Sequence, residues 1–316
     1  MKLQILITQY NETDDIVKDM LDSIEIQQNV DFNDIGVIIV NDGSDIYLSD
    51  ELLNSYSFKI EYYKDEHKGI SGARDGCMRR AVADYIMFCD ADDMFYNNIA
   101  LWIILSKTKK NFDVMNSVFI EEAKTSGGPL YLRKEAGPVF VHGKVYRRQY
   151  LLDNDISWNP ALTVHEDSYF NMLALKLTDK VEICPTPFYI WRWRDSSVCR
   201  NDKDYILKTY PNLIQSSEAC LDEFLKRDKI QIVSDLCTSF LINTYCTLEE
   251  DKWKEEENKE YRKNTIFLLE KYFNKFKKYY EQNQEDRIIN LFTSIVKKRK
   301  MDKDLSVLKK WLQKMI

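Results

Sequence analysis

No stretch of the 316-residue chain approaches the apolar length needed to span a bilayer, the run Ile99 to Leu105 coming nearest. That argues against a membrane-spanning helix. The opening Met1-Lys2-Leu3-Gln4-Ile5-Leu6-Ile7 is too short for a secretory signal peptide, and the residues after it are too polar. The seven cysteines (Cys77, Cys89, Cys184, Cys199, Cys220, Cys237, Cys246) are odd in number, scattered and without Cys-x-x-Cys spacing. A disulfide framework and a cysteine zinc site are thereby excluded, and reduced thiols in a reducing compartment are expected. There is no low-complexity tract. Neither charge sign dominates: the net charge of −6 gives no global push toward nucleic acid. The expectation is a soluble, cytoplasmic protein. Its 44% hydrophobic residues suffice for a sizeable core, and its length suits roughly two domains.

What is present is an alternation of strands and helices. Leu3 to Thr8 reads as an apolar strand, broken by Gln9-Tyr10-Asn11-Glu12-Thr13-Asp14-Asp15. Asp14 or Asp15 can cap a helix over Ile16 to Gln27. Ile35 to Val40 is near-continuously apolar, as strands buried on both faces of a parallel sheet are. It ends in Asn41-Asp42-Gly43-Ser44-Asp45. Phe58 to Tyr63 reads as a third strand, and Gly69 to Gly76 opens a helix running to about Ala83. Tyr85 to Cys89 is a short buried strand, followed by a helix from about Tyr96 to Lys109.

That fourth strand empties into Asp90-Ala91-Asp92-Asp93. Acids crowded at the exit of a buried strand repel one another and are costly to desolvate unless something positive sits there. A divalent cation with all-oxygen ligation, Mn²⁺ or Mg²⁺, is one solution. In an extended segment Asp90 and Asp92 point the same way and can share one ion. The alternative is a strand followed by a helix capped by Asp93. Tyr10-Asn11, Asp42 and Asp90-Ala91-Asp92 all fall at strand exits, where a parallel α/β sheet binds ligands. Three unrelated caps would have no reason to gather there.

Beyond Asn111 the pattern changes. Val114 to Glu121 is a candidate strand, Gly127-Gly128-Pro129 and Gly137-Pro138 are turns, and Val139 to Arg148 mixes a strand with a basic cluster. Asp167 lies where a helix over Ser168 to Leu177 begins, and Val181 to Cys184 is a short strand. After about Asn201 there is no glycine and only one proline, Pro211. Apolar residues recur there at helical spacing through Ile206–Leu225, Ile230–Leu248, Tyr261–Tyr280, Arg287–Val296 and Leu305–Met315. The aromatic stripe Tyr272, Phe273, Phe276, Tyr279 and Tyr280 reads as core or packing surface, with a homo-oligomer contact as a further option.

Over about Leu3 to Arg200 these blocks, in this order, resemble glycosyltransferase family 2, the inverting enzymes with a GT-A fold. Ile5 to Glu12 is similar to the family's opening strand, and Val37 to Asp45 to its Asp-Gly-Ser block. Gly69 to Ala83 is similar to its Gly-x-x-x-Ala-Arg-Asn-x-Gly block, with Asp75 where Asn is usual. Asp90-Ala91-Asp92-Asp93 resembles the metal motif. His142 to Arg148 resembles the Gly-Lys-x-x-Arg block, and His165 to Phe170 the Glu-Asp-x-x-Phe block. No single block is specific, but the ordered set is. The resemblance implies a mixed, mainly parallel sheet flanked by helices over residues 1–200, with a donor-binding half at 1–110 and an acceptor-binding half at 111–200. A helical region at 201–316 lies outside it.

The resemblance further implies a nucleotide diphosphate sugar as donor, a UDP-sugar first. Asp92, helped by Asp90, would hold Mn²⁺ or Mg²⁺ against the diphosphate. Asp42 would accept a hydrogen bond from the base, on which Tyr10 stacks, and Asn11, Glu12, Gly72 and Ala91 would line the donor site. Arg74 would reach the diphosphate or ribose, or instead pair with the acids of the sheet edge. Asp167 would be the general base, with Glu166 as fallback. The competing reading makes Asp167 a helix cap. Arg192, Arg194 and Ser197 are similar to the closing loop over the donor, where Trp191 and Trp193 either stack on sugar or anchor the loop. His67 and His142 read as surface or satisfied histidines, and His165 as structural or as orienting the base. The Gln-x-x-Arg-Trp of processive members is absent, which favours addition of a single sugar to a glycan, teichoic-acid-like polymer or lipid-linked hydroxyl.

Two rival classes remain. A nucleotidyltransferase would carry a Gly-x-Gly-x-x-Arg-type loop where this chain has Gln9-Tyr10-Asn11-Glu12. A non-catalytic scaffold would have no use for both Asp92 and Asp167. The basic, amphipathic end, residues 296–316, is a solvated helix face, a peripheral contact with the inner membrane face, or a surface for an anionic acceptor, nucleic acid included.

Overall fold

The first half of the chain forms four parallel strands: β1 (Leu3–Gln9), β2 (Ile35–Asp42), β3 (Lys59–Asp65) and β4 (Tyr85–Asp90). Every residue of β1 and β2 is buried. Both faces are covered, and apart from Gln4 and the polar exits of the strands the residues are mainly apolar, which is why neither strand alternates. Helix α1 (Asp14–Glu25) returns the chain from β1 to β2, and α3 (Gly69–Arg80) from β3 to β4. Between β2 and β3 there is only the one-turn α2 (Asp50–Leu53). Parallel neighbours need a crossover, and residues 43–58 supply it almost without helix. The computed structural model describes residues 1–195, 197, 200, 202–280, 285–301 and 304–315, with side chains for all of these except 285, 286 and 312–315.

The second half adds β5 (Met94–Phe95), α4 (Ala100–Thr108), β6 (Val114–Ser117), β7 (Phe119–Thr125), β8 (Gly128–Lys134), β9 (Lys144–Arg147), α5 (Arg148–Asp153), α6 (Glu166–Lys176), β10 (Val181–Cys184) and β11 (Tyr189–Trp191). A seven-stranded sheet runs β10-β6-β9-β4-β1-β2-β3, with β9 antiparallel to both neighbours. A smaller sheet runs β5-β11-β7-β8. Strand β1 pairs with β2 on one side and β4 on the other, Gln9 facing Asn41 and Thr8 facing Asp90. The exits of these three strands are therefore adjacent.

The structure corrects several local expectations. Val114 to Glu121 is two strands in different sheets, parting at Val118. The helix expected from Tyr96 starts at Ala100, because Met94–Phe95 is held as a strand against β11. Thr13, not Asp14 or Asp15, is the α1 N-cap residue, and the Asp14 carboxylate accepts instead from Ser49 N–H at 3.1 Å. Asp93 caps no helix.

The chain divides into two compact units, Met1–Ser197 and Val198–Ile316. The second contains helices over Tyr205–Lys226, Ile230–Leu248, Asp251–Lys254, Lys259–Tyr280, Glu285–Arg299 and Leu305–Met315. Tyr272, Phe273, Phe276 and Tyr280 are buried inside this unit. These four residues of the stripe are core, and Tyr279 is half-buried. Cys77, Cys89, Cys184, Cys220, Cys237 and Cys246 are free and buried; Cys199 lies outside the described residues. Among those residues no helix is long and apolar enough to cross a membrane.

Candidate active site

The exit of β1 is shaped by hydrogen bonds rather than by helix. Asn11 sits at φ +69°, a left-handed conformation that Asn tolerates. Its N–H donates to Ser44 Oγ at 3.0 Å, and that hydroxyl lies 3.0 Å from Asn11 Oδ1. The two strand exits are thus tied together. Glu12 accepts from Tyr10 N–H. Burial pushes Glu12 up to about 6, and the charges of Asp92 and Asp90 push the same way.

Asp42 ends β2 and is buried. Its Oδ1 accepts from Lys68 N–H at 2.8 Å, and its Oδ2 lies 3.0 Å from His67 Nδ1. Gly43, at φ +69°, leaves no room for a side chain: a Cβ there would meet His67 N at 2.5 Å. Tyr10 stands half out in solvent with one face against His67. Gly72 lies in the first turns of α3 under Lys68, whose Cβ an added methyl would meet at 2.4 Å.

Arg74, also on α3, joins the donor-side acids to the second half. Its guanidinium is buried and donates to Asp90 Oδ1 and to Glu166 Oε1, each at 2.9 Å. It lies over the Trp158 ring at 4.9 Å, a planar cation against an aromatic face. Both readings of Arg74 concern one edge, and the ion pair is the one seen. Burial works against the Asp90 carboxylate, but Arg74 outweighs it and holds the group below its usual range.

Ala91 is buried, and the three acids around it meet different fates. Asp92 keeps about a third of its side chain exposed (34%), so a ligand can reach it; its Oδ2 lies 3.0 Å from Arg194 Nε. Burial, with Asp90 alongside, raises it above the ordinary carboxylate range. Asp93 points inward. Its Oδ2 accepts from the Tyr189 hydroxyl at 2.6 Å and its Oδ1 from Arg192 N–H at 2.9 Å. Burial and the two neighbouring acids raise it well above the usual range. The Tyr189 oxygen also accepts from Asp90 N–H at 3.1 Å. His142 packs among Phe140, Tyr189 and Trp191. Asp90, Asp93 and His142 each bring a ligand-type atom within 4.8 Å of the others. Both Asp93 oxygens are already engaged, which leaves Asp90 and the accessible Asp92 better able to hold an ion. The donor set fits a divalent cation: burial and mutual repulsion raise Glu12, Asp92 and Asp93 together, and a cation relieves all three.

The acid pair of the second half opens α6. His165 is the N-cap residue at φ +61°, so Glu166 and Asp167 lie in the first turn, not on a preceding loop. Glu166 is taken by Arg74. Asp167 is pushed up to about 7 by burial and by Glu166, with Arg74 and Lys144 opposing. Lys144 is 1% exposed; its amine donates to Phe140 O, and burial brings it down to about 7. Phe88 on β4 fixes this helix beneath the site. It meets Tyr146, Trp158 and Phe170 edge-on, and Trp158 stacks on Phe170 at 4.3 Å.

The structure thus gathers Glu12, Arg74, Asp90, Asp92, Glu166 and Asp167 by contact or by charge. Tyr10 and Asp42 form a second group around His67. Arg192 pairs through its guanidinium with Asp19, and its N–H donates to Asp93 Oδ1. Ser197 N–H donates to Arg194 O at 3.1 Å. Sequence reasoning gave no role to Tyr189 or to Lys144 by itself. The visible signals were a lysine between Gly143 and Val145 in an otherwise buried strand, and a tyrosine entering a run of aromatics.

The profile of glycosyl transferase family 2 matches residues 4–169, more than half of the chain. The teichoic acid poly(glycerol phosphate) polymerase of Staphylococcus epidermidis is 30% identical over 210 residues, covering 60% of this chain and 28% of that protein. The poly(ribitol-phosphate) beta-N-acetylglucosaminyltransferase TarS of Staphylococcus aureus is 20% identical over 205 residues, covering 60% of this chain and 35% of that one. The chain thus spans about a third of the length of these curated relatives. The crystal structure of S. aureus TarS 1–349 superposes with a TM-score of 0.66 at 17% identity, over 94% of this chain and 85% of that one. TarS 1–349 in complex with UDP-GlcNAc gives 0.64 at 18% identity. The fold is that of the GT-A glycosyltransferases, and the chain belongs to glycosyl transferase family 2.

Proposed function

We propose that this protein is an inverting glycosyltransferase that moves one sugar from a nucleotide diphosphate sugar to a hydroxyl of a polymeric acceptor. The observation that carries the reading is Arg74, which holds Asp90 of the donor side and Glu166 of the acceptor side 2.9 Å from opposite ends of one guanidinium. Transfer needs both sides within bonding distance of one carbon, and this pair of contacts keeps them together. A UDP-sugar is the favoured donor, because S. aureus TarS is described in complex with UDP-GlcNAc. Teichoic-acid-like polymers are the favoured acceptors, because relatives are named for them. Glycans and lipid-linked hydroxyls fit the same chemistry.

In this reading Asp42 accepts the base N–H, Tyr10 stacks on the base, and Asn11, Glu12, Gly72 and Ala91 line the donor site. Asp90 and Asp92 are the residues that would hold Mn²⁺ or Mg²⁺, whose charge neutralises that developing on the leaving diphosphate. Arg192 and Ser197 belong to the segment that closes over the donor. Asp167 takes the acceptor hydroxyl's proton as oxygen attacks the anomeric carbon and the diphosphate departs from the opposite face. Its raised affinity for protons suits that role near neutrality. Glu166 is the alternative base, but its Oε1 is held by Arg74.

The test is donor turnover without acceptor. UDP-, GDP-, CDP- and dTDP-sugars are offered with Mn²⁺ or Mg²⁺, and free nucleotide is scored. Release from one donor, lost in D92A and in chelator, supports the reading. Absent release together with absent nucleotide binding by calorimetry would sink it and leave the scaffold reading first. A cytoplasmic location and peripheral membrane contact through 296–316 remain part of the proposal. Arg299 in this stretch is held by Glu250 and Thr247, which leaves Lys297, Lys298 and Lys300 to meet an anionic surface. Liposome sedimentation with and without 296–316 decides that point, and equal binding removes the membrane contact.

A further inference from the structure

His67 lies face to face with Tyr10, ring centroids 4.7 Å apart and planes 30° from parallel. Its Nδ1 is 3.0 Å from Asp42 Oδ2 and 2.9 Å from the Asp42 backbone oxygen. Both neighbours are acceptors, so Nδ1 carries the proton and donates. These are the same two contacts that a bound nucleobase would make: an aromatic face on Tyr10 and a ring N–H given to Asp42. The other oxygen of Asp42 is already held by Lys68 N–H at 2.8 Å. A base seeking Asp42 therefore competes for the oxygen that His67 holds.

We propose that the His67 side chain sits in the nucleobase subsite of the free protein, and that a nucleotide binds by displacing it from Tyr10 and Asp42. The inference rests on the base-subsite reading of those two residues. The exchange is physically easy. The backbone of His67 is fixed against Gly43, where a Cβ would meet His67 N at 2.5 Å. Its side chain is 56% exposed, so the ring can rotate into water without opening a cavity. The base replaces a stack with a stack and a donor with a donor. The cost of ejecting the ring falls on nucleotide affinity, in proportion to the fraction of molecules whose subsite is open. His67 is thereby an affinity-setting residue whose removal improves binding, the reverse of what a residue touching the base would do.

The experiment is calorimetry of UDP binding to wild type, H67A, H67S and D42N. In the first two variants UDP is expected to bind about three- to tenfold more tightly, as an occluded subsite becomes open. In D42N the amide has one acceptor atom, already claimed by Lys68 N–H, and presents NH₂ to the base N–H. Weakening of about tenfold is expected there. Unchanged or weaker UDP binding in both His67 variants, with D42N still weakened, overturns the inference and leaves the base subsite standing. Unchanged binding in D42N, or no UDP binding by any of the four, removes the base-subsite reading and the inference with it.

Discussion

The Tyr189 hydroxyl donates to Asp93 Oδ2 at 2.6 Å from the far side of the acid cluster. The same oxygen accepts from Asp90 N–H. One phenol therefore fixes both ends of the Asp90–Asp93 turn to β11. Y189F removes both contacts and leaves a buried carboxyl partly unsatisfied. Destabilisation of about 1–3 kcal/mol in urea unfolding is expected. The Michaelis constant for the donor should rise more than kcat falls, since the loosened turn carries the accessible Asp92.

Arg74 is ion-paired with both Asp90 and Glu166. R74M should destabilise by about 3–5 kcal/mol, because two acids lose a buried partner. R74K should not rescue it, as a single ammonium nitrogen cannot reproduce the span of the two guanidinium nitrogens that face the two acids. Equal thermal midpoints in wild type and R74K would count against the bridge.

Burial and the neighbouring Glu166 push the Asp167 carboxyl up to about 7. Turnover should therefore rise with pH through about 7, as the base loses its proton. D167N should lower kcat by roughly 10²–10⁴-fold and spare donor binding. The effect on stability has the opposite sign. A carboxyl whose folded value lies above its unfolded one binds more protons when folded, so it costs stability as pH rises between the two. D167N should therefore be more resistant to heat than wild type above pH 7. Retained turnover removes Asp167 as base.

Glu12, pushed up to about 6, lies in the same field as Asp90 and Asp92. A cation displaces protons from such a set. Affinity for Mn²⁺ should fall as pH drops through about 6, and E12Q should flatten that dependence. Calorimetric titration at pH 5.5 and 7.5 reads this without any sugar donor.

The parallel half was legible because its strands carry their signal locally. Leu3 to Thr8 and Ile35 to Val40 are apolar on both faces, and the acids stand at their exits. The second half was less so. Val114 to Glu121 looks continuous, but the two sheets part at Val118, and only pairing across 60 or more residues, Val114 with Val181 and Ile120 with Ile190, separates them. Asp93 looked like a cap because nothing in sequence announces a tyrosine 96 positions later. Lys144 was hidden inside a basic block whose other members, Arg147 and Arg148, are half-exposed. Long-range partners decide such residues, and one sequence does not print them.

Phe88 lies two residues before Asp90, and its ring meets Phe170, three residues after Asp167. In the proposed mechanism the interval between Asp90 and Asp167 is therefore gauged by these buried rings. Trimming one of them would act like a worn spacer in a machine. Donor and acceptor would still dock, but the interval between them would fluctuate. In an Arrhenius plot such a variant should show its loss as steepening with temperature, while its equilibrium titrations stay close to those of the parent.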